Sequence, residues 1–164
     1  MTNKVKKTIL RIALWALLIF LMLLIFHFSS QPAIESQKTS NGLMYKLIKI
    51  LPDFLENRFI LALNEEILSK IIRKTAHFVL FLSLGSVSYS LCVSYFPEKL
   101  RILTLISWAF SIVYAITDEI HQRLIPGRSG QISDVLLDSS GALVGILLLY
   151  FIIYYYRKIK ISKN

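Results

Sequence analysis

Apolar positions gather into four long stretches separated by polar ones, and that alternation predicts most of the architecture. Ile12 to Phe28 is apolar except for His27, with Lys4, Lys6, Lys7 and Arg11 before it. Thr75 to Tyr95 follows Arg73-Lys74 and stops at Phe96-Pro97. Ile102 to Thr117 begins after a tight turn holding Glu98, Lys99 and Arg101, and Asp134 to Tyr156 ends in Arg157, Lys158, Lys160 and Lys163. A run of roughly 20 apolar residues crosses the hydrocarbon core of a bilayer as a helix. The pattern therefore predicts spans over about 9–28, 75–95, 102–118 and 135–156, an all-α integral membrane fold built as a four-transmembrane-helix bundle. The first span reads as an uncleaved anchor. A signal peptide has a shorter apolar region and a small-residue cleavage site, whereas here Ser29-Ser30-Gln31-Pro32 follows a longer run.

Between the first and second spans the pattern weakens. Pro32 lacks an amide hydrogen and pushes Gln31 away from helical geometry, so the chain is expected to leave the bilayer at Phe28 to Ala33. Asn41-Gly42 and Pro52-Asp53 then read as turns. Two apolar-periodic pieces, near Leu43 to Leu51 and Phe54 to Ile72, are too interrupted by charge to span a membrane. They predict short amphipathic helices carried on a long first outer loop, with a solvated linker as the alternative.

Composition narrows the class. The 164 residues are read as a single domain over 1–164, and 55% hydrophobic against 18% charged residues excludes an ordinary soluble protein. The net charge of +9 lies at the ends of the apolar runs and does not interleave with aromatics, so membrane topology and lipid headgroups account for it and no nucleic-acid partner is expected. One side of a four-span bundle would hold Lys4, Lys6, Lys7, Arg11, Lys99, Arg101, Arg157, Lys158, Lys160 and Lys163 against the single acid Glu98. That excess predicts a multi-pass cell-membrane protein with both termini cytoplasmic. Arg73 and Lys74 sit against this rule at the outer mouth of the second span. Cys92 is the only cysteine, so there is no internal disulfide and no zinc-type spacing. The tyrosines at 154–156 read as an interfacial belt, and Trp15 and Trp108 as packing or interface anchors.

One stretch breaks the apolar pattern with charge. YAITDEIHQRLIPGRSGQISDVLLDSSGALVG, from Tyr114 to Gly145, holds Asp118, Glu119, His121, Gln122, Arg123, Arg128, Asp134 and Asp138 between two membrane segments. An ionisable group at membrane depth costs about 2.5–3.5 kcal/mol even on lenient insertion scales, so such groups pair or line a cavity. Asp134, Asp138, Gly141 and Gly145 share one helical face, as do Ser107, Ser111, Tyr114 and Asp118, and approximately Lys74, His77, Phe81, Gly85 and Ser88. These faces predict a polar pocket at the outer boundary. His77 with Glu119 or Asp118 has the composition of a general base and its orienting carboxylate, which makes these three the candidate catalytic residues. Arg73, Lys74 and Arg128 suit an anionic group such as phosphate, with Gln122, Ser129, Asp134 and Asp138 as further ligand-binding candidates. No cofactor is expected, although Asp134 and Asp138, one turn apart, could take a divalent cation through oxygen. His121 and Arg123 read as an exposed loop residue and a headgroup contact.

The segments RKTAHFVLFLSLG and YAITDEIHQRLIPGRSGQISDVLLDSSGALVG, with FSSQPA at the end of the first span, resemble the VanZ-like family of bacterial membrane proteins. The likeness runs from about Ile9 to Leu149 and rests on Lys-x-x-His, Asp-Glu-x-x-Gln, Pro-Gly-Arg-Ser-Gly and Asp-Val-x-x-Asn/Asp-x-x-Gly in that order. It implies marked polar residues at Lys74, His77, Asp118, Glu119, Gln122, Arg128, Ser129, Asp134 and Asp138. This chain departs from the pattern at Phe81, where the family commonly has tyrosine, and at Asp138, where it commonly has asparagine. The resemblance further implies a place in the cell envelope and a link to lowered susceptibility to teicoplanin-type glycopeptide antibiotics. Three functional readings stay open: an outer pocket that binds membrane lipids, a lipid-linked cell-wall precursor or another anionic envelope component; a structural protein whose charges only lock the bundle; and a membrane-embedded hydrolase or transferase using His77 and Glu119.

Overall fold

The computed structural model describes residues 2–48 and 65–162. Among the described residues there are five helices, α1 (Asn3–Ser29), α2 (Ala33–Ile48), α3 (Glu65–Tyr95), α4 (Leu100–Gln122) and α5 (Ile132–Ser162), with a 3₁₀ turn at Pro97–Lys99. Four segments, Asn3–Ser29, Ile67–Tyr95, Pro97–Gln122 and Ile132–Lys160, are long and apolar enough to cross a membrane. Their outward faces carry Ile12, Phe20, Leu23, Leu105, Val113, Leu136, Leu148 and Ile152, all largely exposed, as a lipid-facing surface requires. The chain is a multi-pass membrane protein.

Helix ends follow the local chemistry. The Ser30 amide closes α1 on the Phe26 carbonyl at 2.9 Å, and Pro32, which cannot continue that helix, precedes the first residue of α2. The Pro32 carbonyl still accepts from the Ser36 amide at 2.9 Å. Proline thus ends one helix and starts the next. The Ala33 amide reaches the Pro126 carbonyl at 3.3 Å, tying the start of α2 to the loop between α4 and α5. At the opposite, basic end, the Arg11 guanidinium donates to the Ser94 carbonyl at 2.6 Å and lies 4.1 Å from the Tyr95 ring centroid. Arg157 donates to the Pro97 carbonyl at 2.6 Å, so both termini are pinned to the α3–α4 turn.

The most extensive packing is between α3 and α5. Glycines make it possible. A Cβ on Gly141 would lie 2.6 Å from the Phe78 carbonyl oxygen, one on Gly85 would meet the Ala142 backbone, and one on Gly145 would meet the Leu82 carbonyl and Ser86 Oγ. Small residues let helices approach where lipid supplies no hydrophobic drive between them. Around this seam Ile25, Phe81, Leu84, Ala115 and Ala142 form one buried cluster, and Tyr89, Leu103 and Ile146 a second. Hydroxyls at membrane depth bond back within their own helices, as Ser86 does to the Leu82 carbonyl at 2.8 Å and Ser111 to the Ser107 carbonyl at 2.9 Å. Trp108 is a packing residue, donating from Nε1 to the Ser139 carbonyl at 3.1 Å, while Trp15 is about half exposed.

The first connection differs from expectation. The helix expected near Leu43 starts ten residues earlier, at Ala33, and Asn41-Gly42 lies inside it. Ser36 and Ser40 are buried on this helix, and Ser40 Oγ returns to the Ser36 carbonyl at 2.9 Å, so hydroxyls occupy its inward face in place of apolar side chains. The piece expected over 54–72 is, from Glu65 onward, the opening of α3 itself; its earlier part falls outside the described residues. Likewise Glu119 to Gln122 are the last turn of α4 and do not belong to the loop that follows.

Candidate functional site

Three helices deliver charge to one end of the bundle. His77 lies three turns into α3, Asp118 in the last turns of α4, and Asp138 in the second turn of α5; all three are buried. His77 Nδ1 is 3.9 Å from Asp138 Oδ2, and single ligand atoms of His77, Asp118 and Asp138 lie within 4.8 Å of one another. The end of α1 completes the cluster. Ser29 Oγ donates to Asp118 Oδ2 at 2.7 Å, and Gln122 Nε2, one turn beyond Asp118, donates to the same oxygen at 2.9 Å.

Around this centre Lys74, Asp134, Glu119 and Arg128 each have a partner of their own. Lys74 Nζ binds Asp134 Oδ1. Glu119 Oε1 accepts from the Gln131 amide, which fastens the loop to α4. Arg128 donates to the Phe28 carbonyl at 3.0 Å, which also accepts from the Gln31 amide at 3.4 Å where α1 ends. Burial pushes the Arg128 guanidinium below its ordinary value, the Arg73 charge adds to this, and Asp118 and Glu119 oppose it. An arginine stays protonated under any of these influences, so Arg128 is a fixed charge. Gly127, at φ 76°, supplies the left-handed turn before it.

Several sequence expectations change here. Glu119 does not orient His77: adjacent residues on a helix point about 100° apart, so Asp118 turns inward to His77 while Glu119 faces the loop. Asp134 and Asp138 share a face but have different nearest partners, Lys74 for Asp134 and His77 for Asp138. His121 is not an exposed loop residue. It stacks on Phe26 with centroids 4.5 Å apart, and its Nε2 lies 3.0 Å from Ser30 Oγ. Ser129 is exposed and, among the described residues, its side chain makes a long 3.4 Å contact to Gln131, outside the buried cluster. Ser29 was missed as a site residue, although FSSQPA is part of the recognised pattern; nothing local reveals that its hydroxyl meets a carboxylate 89 residues away.

Two cavities open beside the cluster. A polar cleft of about 540 Å³ is lined by Lys70, Arg73, Lys74, Arg128, Ser129 and Asp134 among others. A second cavity, about 410 Å³ and mainly apolar, lies between α2 and α3 and is lined by Phe28, Leu43, Ile72, Ala76 and Leu80. Arg73 and Ser40 line both. Arg73 makes no hydrogen bond or ion pair among the described residues, so its guanidinium is available where the two spaces meet.

No curated protein and no solved structure matches the chain significantly. A family model described as VanZ/LLP1 matches residues 14–154, a span that takes in Ser29, His77, the whole charged stretch and both helix-packing glycines of α5, and the chain belongs to the VanZ-like family.

Proposed function

We propose that the charged end of the bundle binds the anionic headgroup of a lipid-borne component of the cell envelope, either a membrane lipid or a lipid-linked wall precursor. One observation carries the reading: a cation-lined cleft adjoins an apolar cavity at the end of the membrane helices, and Arg73 lines both. An amphiphile needs that juxtaposition. Arginine offers bidentate hydrogen bonds to phosphate oxygens, and the apolar wall accepts the adjoining chain. Through such binding the protein would lower susceptibility to teicoplanin-type glycopeptides, as the family membership suggests. The test is binding of a polyprenyl diphosphate and of phosphatidylglycerol vesicles to the protein in neutral-lipid nanodiscs. Arg73→Ala is expected to weaken binding about tenfold, the worth of one charge-assisted hydrogen bond, with the thermal midpoint unchanged. Equal binding by both proteins would remove the cleft from consideration.

The excess of Lys and Arg at the opposite end supports placing both termini in the cytoplasm and the cleft on the outer side. In a Cys92→Ser background, Ser129→Cys is expected to react with an impermeant maleimide on intact cells and Lys99→Cys is not. The opposite labelling would turn the cleft toward cytoplasmic ligands.

A second reading is favoured by the bonds from Ser29 and Gln122 to Asp118 and by the Lys74–Asp134 pair, which would lock the helices without binding anything. Under that reading Arg73, which joins none of these bonds, has no role in binding or stability.

A further inference from the structure

The buried centre of the cluster holds an imbalance that its own hydrogen bonds do not resolve. His77 is 7% exposed, Asp118 5% and Asp138 3%, yet His77 Nδ1 and Asp118 Oδ1 have no hydrogen-bond partner. Buried polar atoms are nearly always satisfied, because an orphan carries its full desolvation penalty. The separation of 3.9 Å between His77 Nδ1 and Asp138 Oδ2 is too long for a hydrogen bond. It suits two atoms that share a third between them. A space of about 20 Å³, sized for one ion or one water, is bordered by His77 and Asp138 together with Arg73, Lys74, Gln122 and Asp134, and Asp118 stands beside it with a ligand atom within 4.8 Å of those of His77 and Asp138.

We propose that a divalent transition-metal ion binds at this point, ligated by the Nδ1 atom of His77 and by one carboxylate oxygen each from Asp118 and Asp138. Three separate helices supply the ligands, so the ion would link α3, α4 and α5. Around Asp118 the supporting shell is already in place. Ser29 and Gln122 hold Oδ2, which leaves Oδ1 for the ion, the arrangement by which outer hydrogen bonds orient a ligating carboxylate. One imidazole with two carboxylates favours Zn²⁺ or Mn²⁺ over Mg²⁺ and Ca²⁺, which prefer oxygen alone, and the absence of thiolate among the ligands disfavours Cu(I). Ligand atoms around a tetrahedral zinc stand about 3.3 Å apart, so small side-chain rotations would close the cluster onto the ion. Three protein ligands leave a coordination position free, and Arg73, Lys74, Gln122 and Asp134 border both this space and the polar cleft. The inference does not depend on headgroup binding, since the ligands are complete without it.

The experiment uses the full chain purified in mild detergent from cells grown with added Zn²⁺ and Mn²⁺. Elemental analysis is expected to find about one Zn²⁺ or Mn²⁺ per chain, and readdition of that ion after chelation to raise the thermal midpoint. His77→Gln, Asp118→Asn and Asp138→Asn should each weaken the ion's binding at least about tenfold, while Glu98→Gln, at the far end of the bundle, retains it. X-ray absorption on the metal-loaded wild type needs no variant to fold and should show a first shell of nitrogen and oxygen without sulfur. A wild type that neither copurifies with nor is stabilised by Zn²⁺ or Mn²⁺ overturns the proposal, as do variants that bind as tightly as wild type or an all-oxygen shell.

Discussion

Gly145→Leu is expected to prevent the bundle from assembling, so that the protein is lost to aggregation or degradation before it can be purified. At this position a side chain fits only if its neighbours shift. A Cβ there would collide with the Leu82 carbonyl and with Ser86 Oγ, and backbone cannot move aside as the tip of a flexible side chain can. Gly145→Ala tests the same contact at lower cost, about 1–3 kcal/mol for an overpacked interface, read as a lower thermal midpoint in detergent. Gly42→Ala is the comparison that isolates the cause. Gly42 lies within α2 with nothing inside 4 Å of a built Cβ, so replacing it should stabilise the helix by roughly 0.5–1 kcal/mol. The two alanine substitutions are thus expected to carry opposite signs. If both merely shifted stability by a helix-propensity increment, the close approach of α3 and α5 would not be what holds the seam.

The spacing of Asp134, Asp138, Gly141 and Gly145 already placed those four residues on one face, and the structure turns the two glycines of that face into the α3 contact. Helical period is a local property, so it reads directly from sequence. Which residue of α3 stands opposite each aspartate depends on the register between two helices, and no local pattern encodes it. That is why the spacing shows the two aspartates on one face but not that Lys74 stands opposite one and His77 opposite the other. Asp118 and Glu119 show the same limit, since adjacency in sequence suggested a shared role while helical rotation gives them different partners.

The connection from Ser29 to α3 was the least legible part. Helix α2 presents Ser36 and Ser40 inward, so an apolar-moment reading finds little before Leu43, and the Asn41-Gly42 pair imitates a turn. Phe81 is a clearer case. It is fully buried 6.0 Å from the Tyr114 ring, and Tyr114 itself donates to the Met22 carbonyl at 2.6 Å. At position 81 the side chain fills the core beside Tyr114.

Asp118→Leu is expected to destabilise the protein by about 3–5 kcal/mol, the cost of removing one member of a buried charged network while its partners remain. Ser29 and Gln122 both lose their acceptor, and Arg128 loses one of the two carboxylates that favour its charge. Asp118→Asn keeps an oxygen for both donors, so its loss should be nearer about 1 kcal/mol, and unfolding of the two variants side by side in detergent separates geometry from charge. The triple variant Ser29→Ala, Asp118→Leu, Gln122→Leu goes further. Removing donors and acceptor together leaves nothing orphaned in that group, so a good part of the stability lost in Asp118→Leu alone should return. Its behaviour toward polyprenyl diphosphate then decides what the cluster is for. A stable triple variant that binds like wild type would mean that the Ser29–Asp118–Gln122 network contributes to folding alone. A stable triple variant that no longer binds would mean that the chain keeps a charged, costly centre among its membrane helices because the ligand requires it.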